Sequence, residues 1–218
     1  MKTDWFELNK ARLHLAPYSD PRFDIAVAST ITPFGMMAAG RHGLGVLSIG
    51  AGIPGGPEML AKQWTIAEEE AAKRGKIMNR KDWRVVVVMH IAEDTEQALH
   101  EIHYGERTET ITYFEETLGR PPGRSEDPIR DGVKAGTTLV GSPDVAIKGI
   151  KRLLDLSGGG FGGVMFRAHE WAAREQTMRS YELFARYVMP HFQGSMDSLY
   201  ASNAFTKDNR AEVVGRNV

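Results

Sequence analysis

Three hydroxyl residues follow the first apolar run of the chain, and their types suit the binding of an anion. Ser29, Thr30 and Thr32 end the stretch "DIAVASTIT" over residues 24–32, and Pro33 comes next. Threonine followed by proline predicts a helix with Thr32 as its N-cap and Pro33 at its first position. The free backbone N–H groups and positive dipole of such a helix start would suit a phosphate. The alternative is that these side chains only cap the helix, as Ser and Thr commonly do.

Two histidines are candidates for catalysis, and both also have ordinary structural interpretations. His90 lies near the end of an apolar strand, where a buried, hydrogen-bonded core histidine is the alternative. His169, followed by Glu170, comes just after a later strand and could line a cleft or begin a helix. Ligands collect at the carboxyl ends of the strands in parallel βα folds, so His90 and His169 are kept as weak catalytic candidates.

The sequence predicts no metal site. His100 and His103 are spaced i, i+3 on a predicted helix, but no third ligand accompanies them, and a solvated helix face is the preferred interpretation. The chain has no Cys, which excludes disulfides, thiolate metal ligands and a Cys nucleophile.

The composition favours a soluble cytoplasmic protein. The formal net charge of −1 over 218 residues gives no reason to expect a nucleic acid or an anionic membrane as partner. The start of the chain lacks the apolar core of a signal peptide. No apolar run approaches the roughly 20 residues that a membrane span needs.

Apolar strands alternate with helices along the chain. Apolar strands are predicted at residues 24–29, 45–51, 83–94 and 161–168, and four consecutive Val make the third the clearest. Helices are predicted at 5–15, at 32–42 before Gly43, at 58–74, in one or two pieces over 95–118, after an N-cap at Ser142, and at 171–192. Residues 119–136 contain three Pro and mixed charge and are interpreted as an insertion loop.

This alternation predicts a parallel sheet with right-handed crossovers. An open sheet of this kind usually carries a Gly-rich nucleotide motif after its first strand, and "ASTITPFG" does not match G-x-G-x-x-G. We therefore predict an α/β fold of four consecutive parallel βα units, half of a TIM-type (β/α)8 barrel, over residues 1–194. Residues 195–218 are polar and aperiodic and are predicted to form a mobile C-terminal tail.

Segments over residues 1–194 resemble one enzyme family. They include "PRFDIAVASTITPFGMMAAGRHGLGVLSIGA" and "MHIAEDTEQA", and the most specific are "GSPDVAIKGI" and "ELFARYVMPHF". These stretches resemble the bacterial luciferase-like flavin-dependent monooxygenases, in the limonene-monooxygenase-like branch. The resemblance implies a (β/α)8 barrel that uses reduced FMN, supplied by a separate reductase, to activate O2 and oxygenate a small organic substrate. It also implies that Ser29, Thr30 and Thr32 lie at the FMN phosphate site; a deazaflavin in place of FMN stays open.

The resemblance covers only the carboxyl-terminal half of such proteins, with Met1 at an internal position. The other half contributes four strands and a catalytic histidine, so the chain is predicted to be incomplete as a catalyst on its own. Half a barrel also leaves two edge strands and an apolar inner face uncovered, which predicts self-association, for example as a homodimer. The alternative is a non-catalytic short homologue that binds flavin or only self-associates.

Overall fold

The computed structural model describes residues 1–12, 14–20, 23–121, 125, 127–167 and 169–213. In this part of the chain the strands are β1 (Ala26–Ser29), β2 (Gly45–Ser48), β3 (Trp83–Val87), β4 (Met89–Ile91), β5 (Leu139–Gly141) and β6 (Gly163–Phe166). The helices are α1 (Phe34–His42), α2 (Leu60–Ala72), α3 (Thr95–Glu109), α4 (Pro128–Ala135), α5 (Pro143–Leu156), α6 (Arg174–Leu183), α7 (Asp197–Asp208) and α8 (Arg210–Val213). Two π-helical turns, Thr110–Thr117 and Phe184–Val188, continue α3 and α6.

The strands form a parallel sheet, which confirms the predicted α/β class. One sheet has the order β1-β2-β3-β6, and β4 and β5 form a two-stranded extension of it. All of these pairs are parallel. Strand order therefore follows chain order, as in consecutive units of a barrel, and the carboxyl ends of the strands meet at one edge.

The longest predicted strand, at 83–94, is divided in two because its halves have different partners. Arg84 pairs with Gly163 of β6, whereas His90 pairs with Val140 of β5. Between the halves, the Leu139 N–H donates to the carbonyl of Val88 at 2.9 Å. The strand β5 was not predicted, since it has only three residues and its partner lies far away in sequence.

The core lies between one face of the sheet and helices α1, α2 and α5. On β3, Trp83, Val85 and Val87 are 2% exposed or less, and the Trp83 indole stacks on Trp64 with ring centroids 4.6 Å apart. Alternate residues point to the opposite face, which we call the inner face. It includes Ala28, Leu47, Val86 and the 43% exposed Met165.

Three predicted segments differ from the structure. The described residues of the predicted helix at 5–15 form bends and part of an isolated bridge between Lys2 and Glu7 instead. The predicted loop 119–136 contains α4, whose N-terminus is capped by Asp127 and which ends at the left-handed Gly136. Residues 122–124 and 126 lie outside the described part. The predicted tail contains α7, whose residues are exposed.

Helix ends set by proline and glycine follow the sequence closely. The helix α5 begins at Pro143 after the N-cap Ser142, as predicted. The helix α1 ends at Gly43, which has a φ of 63° and donates its N–H to the carbonyls of Ala39 and Gly40. Among the described residues, no helix has the length and apolar character needed to cross a bilayer.

Candidate functional site

The first turn of α1 comes directly after β1 and forms one part of the candidate site. Its N-cap is Pro33, and no side chain caps the helix. The N-cap position predicted for Thr32 is wrong, because the Met37 N–H already donates to the Pro33 carbonyl at 2.9 Å. The first turn contains no acidic residue. Its N–H groups are therefore left without a side-chain acceptor, in an electrostatic setting that favours an anion.

The three predicted phosphate-site residues lie at different depths. Ser29 is 1% exposed, and a Cβ on Gly35 of α1 would lie 2.8 Å from its Oγ. Thr30 is half-buried, and its carbonyl accepts a hydrogen bond from Gln63 Nε2 of α2. Thr32 is exposed. Thr30 and Thr32 are thus the more accessible residues, while Ser29 lies where helix and strand approach closely.

The loop after β2 packs against the same junction. A Cβ on Gly50 would lie 3.1 Å from the carbonyl carbon of Thr30 and 3.3 Å from the nitrogen of Ile31. This spacing is tighter than an ordinary van der Waals contact, so the position suits glycine. The backbones after β1 and β2 therefore form one continuous wall at the carboxyl ends of the strands.

His90 lies in a buried hydrogen-bonded pair. It is 1% exposed, and its Nε2 lies 2.7 Å from Glu101 Oε2 of α3. Gln97 Nε2 donates to the other carboxylate oxygen of Glu101 at 2.9 Å. The arrangement matches the structural interpretation of His90, since it joins β4 to α3.

His169 is held as a neutral imidazole after β6. Its Nε2 lies 3.2 Å from the Met89 carbonyl, which can only accept, so Nε2 carries the proton. Desolvation lowers the pKa of His169 below its ordinary value, and the nearby Arg167 adds to this effect. The Nδ1 atom is buried and has no hydrogen-bond partner among the described residues. The ring stacks on Trp171 with centroids 4.1 Å apart.

One face of α3 fastens this helix to the segment after β6. Glu101, Gly105 and Glu109 recur at i, i+4 and i+8, so they lie along one stripe. A Cβ on Gly105 would lie 2.3 Å from the carbonyl oxygen of Trp171. Glu109 Oε2 accepts from Arg167 Nη2 at 2.8 Å and from Trp171 Nε1. Sequence reasoning missed these residues, although the four-residue spacing was a usable signal.

A cleft of about 720 Å³ opens between this stripe and the segment after β6. It is bordered by aromatic, acidic and small residues: Glu101, Tyr104, Gly105, Thr108, Glu109, Tyr113, Glu170, Trp171, Ala172 and Ala173. The volume is in the range of small-molecule sites. The candidate site therefore consists of the uncapped helix start after β1 and the cleft near β4 and β6.

The described residues contain no cluster of three or more potential metal ligands. His100 and His103 are both exposed on α3. This agrees with their interpretation as part of a solvated helix face.

Both of the curated proteins that the chain matches are monooxygenases. No family model matches the chain. It is 40% identical over 197 residues to limonene 1,2-monooxygenase of Rhodococcus erythropolis, covering 89% of this chain and 50% of that protein. The chain thus spans about half the length of the curated relatives it matches.

Solved structures share the fold at lower identity. Monooxygenase RslO1 from Streptomyces bottropensis matches with a TM-score of 0.67 and 21% identity, covering 86% of this chain and 55% of that one. The oxygenating constituent of 3,6-diketocamphane monooxygenase from Pseudomonas putida, in complex with FMN, matches with a TM-score of 0.58 and 22% identity, covering 76% and 47%. Because these proteins are barrels, the predicted half-barrel is confirmed.

Proposed function

Because the chain is related to the luciferase-like flavin-dependent monooxygenases over about half of their length, we propose that it forms one side of an FMN-dependent oxygenase. In this proposal the chain corresponds to their carboxyl-terminal half. It binds the phosphate of FMN and contributes to a cleft for a small organic substrate. On its own it is an incomplete catalyst.

The observation that carries the proposal is the uncapped first turn of α1. Its N–H groups have no side-chain acceptor, it lacks an acidic residue, and the Thr30 and Thr32 hydroxyls adjoin it. The glycines at 35 and 50 let α1 and the loop after β2 pack closely against the end of β1, which fixes the position of this helix start. These features fit a phosphate dianion, which helix N-termini and hydroxyl groups commonly bind.

The residues near β4 and β6 would handle the organic molecule. The cleft beside α3 would hold it, with Tyr104 and Tyr113 offering aromatic surface. His169, neutral at pH 7, would hold its proton on Nε2 against Met89 while Glu109 keeps Trp171 in place. Reduced FMN, delivered by a separate reductase, would supply the electrons with which O2 is activated.

The phosphate site is tested by comparing FMN with riboflavin, which lacks the phosphate. We expect FMN to quench or shift the tryptophan fluorescence of the protein at a lower concentration than riboflavin does. Thr32→Val should raise the FMN dissociation constant about tenfold, the equivalent of one charge-assisted hydrogen bond. It should leave riboflavin binding unchanged. Thr65→Val, on the exposed side of α2, is the matched control. Equal affinity of the parent chain for FMN and riboflavin would overturn the phosphate assignment.

The second candidate is a short homologue that binds flavin without oxygenating a substrate. The buried pairing of His90 with Glu101 favours it, because it leaves this candidate histidine without access to a substrate. Supplied with reduced FMN, O2 and limonene, such a protein would bind flavin yet give no oxygenated product. A product that depends on this chain would exclude it.

A further inference from the structure

The cleft beside α3 lies between two elements of this chain that are fastened to each other. Glu109 Oε2 of α3 accepts hydrogen bonds from Arg167 Nη2 at 2.8 Å and from Trp171 Nε1. Trp171 is buried, and its ring stacks on His169. The Trp171 backbone packs so closely on Gly105 that a Cβ there would overlap its carbonyl oxygen. The cleft is therefore shaped by contacts within the chain and is present without a ligand.

Two tyrosines that border the cleft keep accessible rings. Tyr104 is 84% exposed and Tyr113 is 50% exposed. The Tyr113 ring meets the Phe114 ring in a T-shaped arrangement with centroids 5.1 Å apart. The negative face of a tyrosine ring attracts a cation electrostatically. Two accessible tyrosine rings on one cleft therefore suit an organic cation as well as a neutral apolar group.

The charged side chains that border the cleft are all carboxylates. In the described part of the chain they are Glu101, Glu109 and Glu170, and no Lys, Arg or His is among the bordering residues. Arg167 lies nearby, but its charge is paired with that of Glu109 at 2.8 Å. Glu101 is hydrogen-bonded to His90. The electrostatic setting of the cleft thus favours a positively charged ligand over a negatively charged one.

Two of these carboxylates also have oxygens available to a ligand. Arg167 and Trp171 both donate to Oε2 of Glu109, which leaves Oε1 without a hydrogen bond among the described residues. Glu170 is exposed and forms no ion pair with the residues that the structure describes. Carboxylate oxygens only accept hydrogen bonds, so both sites can bind only a donor. A protonated amine supplies several N–H donors together with a positive charge.

We propose that this cleft binds an organic cation in which an apolar group carries a protonated amine. The ammonium group would lie against the rings of Tyr104 and Tyr113 and donate to Glu109 Oε1 or to Glu170. The apolar group would occupy the rest of the volume of about 720 Å³. As an assignment of the substrate class, this inference rests on the proposed oxygenase function, whereas the preference for a cation can be measured without it.

Three probes that share one phenethyl group test the preference. At neutral pH phenethylamine is a cation, phenethyl alcohol is uncharged and hydrocinnamate is an anion. In NMR titrations we expect the amine to bind about tenfold more tightly than the alcohol, through a cation–π contact and an ion pair, and hydrocinnamate to bind most weakly. Equal dissociation constants for the amine and the alcohol, or no saturable binding of the amine, would overturn the proposal.

Paired variants locate the bound amine. Glu170→Gln should weaken amine binding about threefold, the effect of one exposed charge pair, and leave the alcohol unchanged. Glu175→Gln, exposed on the first turn of α6 and outside the cleft, is the matched control. Tyr113→Leu should also weaken amine binding, whereas Tyr113→Phe keeps the ring and should preserve it. A preference for the amine that survives both Glu170→Gln and Tyr113→Leu would contradict the proposal.

FMN titrations of the same protein separate this inference from the proposed function. FMN bound more tightly than riboflavin, with no preference for the amine, would support the flavin site and contradict the cation site. A preference for the amine without FMN binding would support the cation site and contradict the flavin site.

Discussion

Arg80 should make one of the largest single contributions to the stability of the half-barrel. Its guanidinium carbon lies 5.1 Å from the centroid of the Trp64 ring and 5.5 Å from that of Trp83. Its Nη1 donates to the carbonyls of Ser157 and Gly160 at 3.1 and 2.8 Å. One cation thus joins the tryptophan pair to the end of α5.

Replacing Arg80 by Leu should reduce the free energy of unfolding by about 3 kcal/mol. A desolvated cation–π contact contributes up to about 2 kcal/mol. A hydrogen bond from a charged donor adds about 1.5 kcal/mol. The cation–π contact and the hydrogen bond together therefore slightly exceed the expected loss of about 3 kcal/mol. Arg80→Lys keeps the charge but loses the planar guanidinium that lies over both tryptophan rings, so it should lose about half as much.

Urea titration followed by tryptophan fluorescence measures this loss. Protein concentration must be fixed, because self-association would make the apparent stability depend on it. The m-value should stay constant, which shows that the same surface is exposed on unfolding. A loss below about 1 kcal/mol for Arg80→Leu, or equal losses for Leu and Lys, would refute the cation–π reasoning.

Two further predictions concern the region where α3 packs on the segment after β6. Gly105→Ala should destabilise the fold by about 2 kcal/mol, since its Cβ would meet the Trp171 backbone. Gly52→Ala, whose Cβ would lie 4.0 Å from its nearest neighbour, should be tolerated, and thermal melts of the two variants measure the difference. The pKa of His169 is lower in the folded chain than in the unfolded chain. As the pH falls below 6.5, this histidine is therefore protonated in the unfolded chain before it is protonated in the folded one. Stability should therefore decrease from pH 6.5 towards the lower folded-state pKa, and His169→Gln should flatten that slope while His100→Gln leaves it unchanged.

Local signals in the sequence were sufficient where helices begin or end at proline or glycine. Gly43 and Pro143 fixed the ends of α1 and α5 as predicted. The N-cap of α1 was misplaced by one residue, because the first helical hydrogen bond runs from the Met37 N–H to the carbonyl of Pro33. Asp127 and Gly136 carried capping signals for α4 that the density of proline obscured.

Pairing between strands that lie far apart in the sequence could not be predicted from local sequence patterns. The strand β5 forms because β4, far earlier in the chain, offers a parallel partner. In the site, His90 and His169 were predicted as weak candidates from their positions at strand ends, whereas Glu101 and Glu109 were not predicted. Nothing in their immediate sequence distinguishes them from solvated carboxylates, and only the spacing along α3 relates them to each other.

The pairing of β4 with β5 has a consequence for how the chain can vary. The Ala92 N–H donates to the Gly141 carbonyl at 3.1 Å, so the two ends of the segment between β4 and β5 lie close together, and its described residues over 93–138 lie outside the strands. Lengthening such a segment adds little closure entropy. The segment includes α3 and much of the cleft wall. The length and sequence of this segment can therefore change, and with them the wall of the cleft, at little cost to the strands of the sheet.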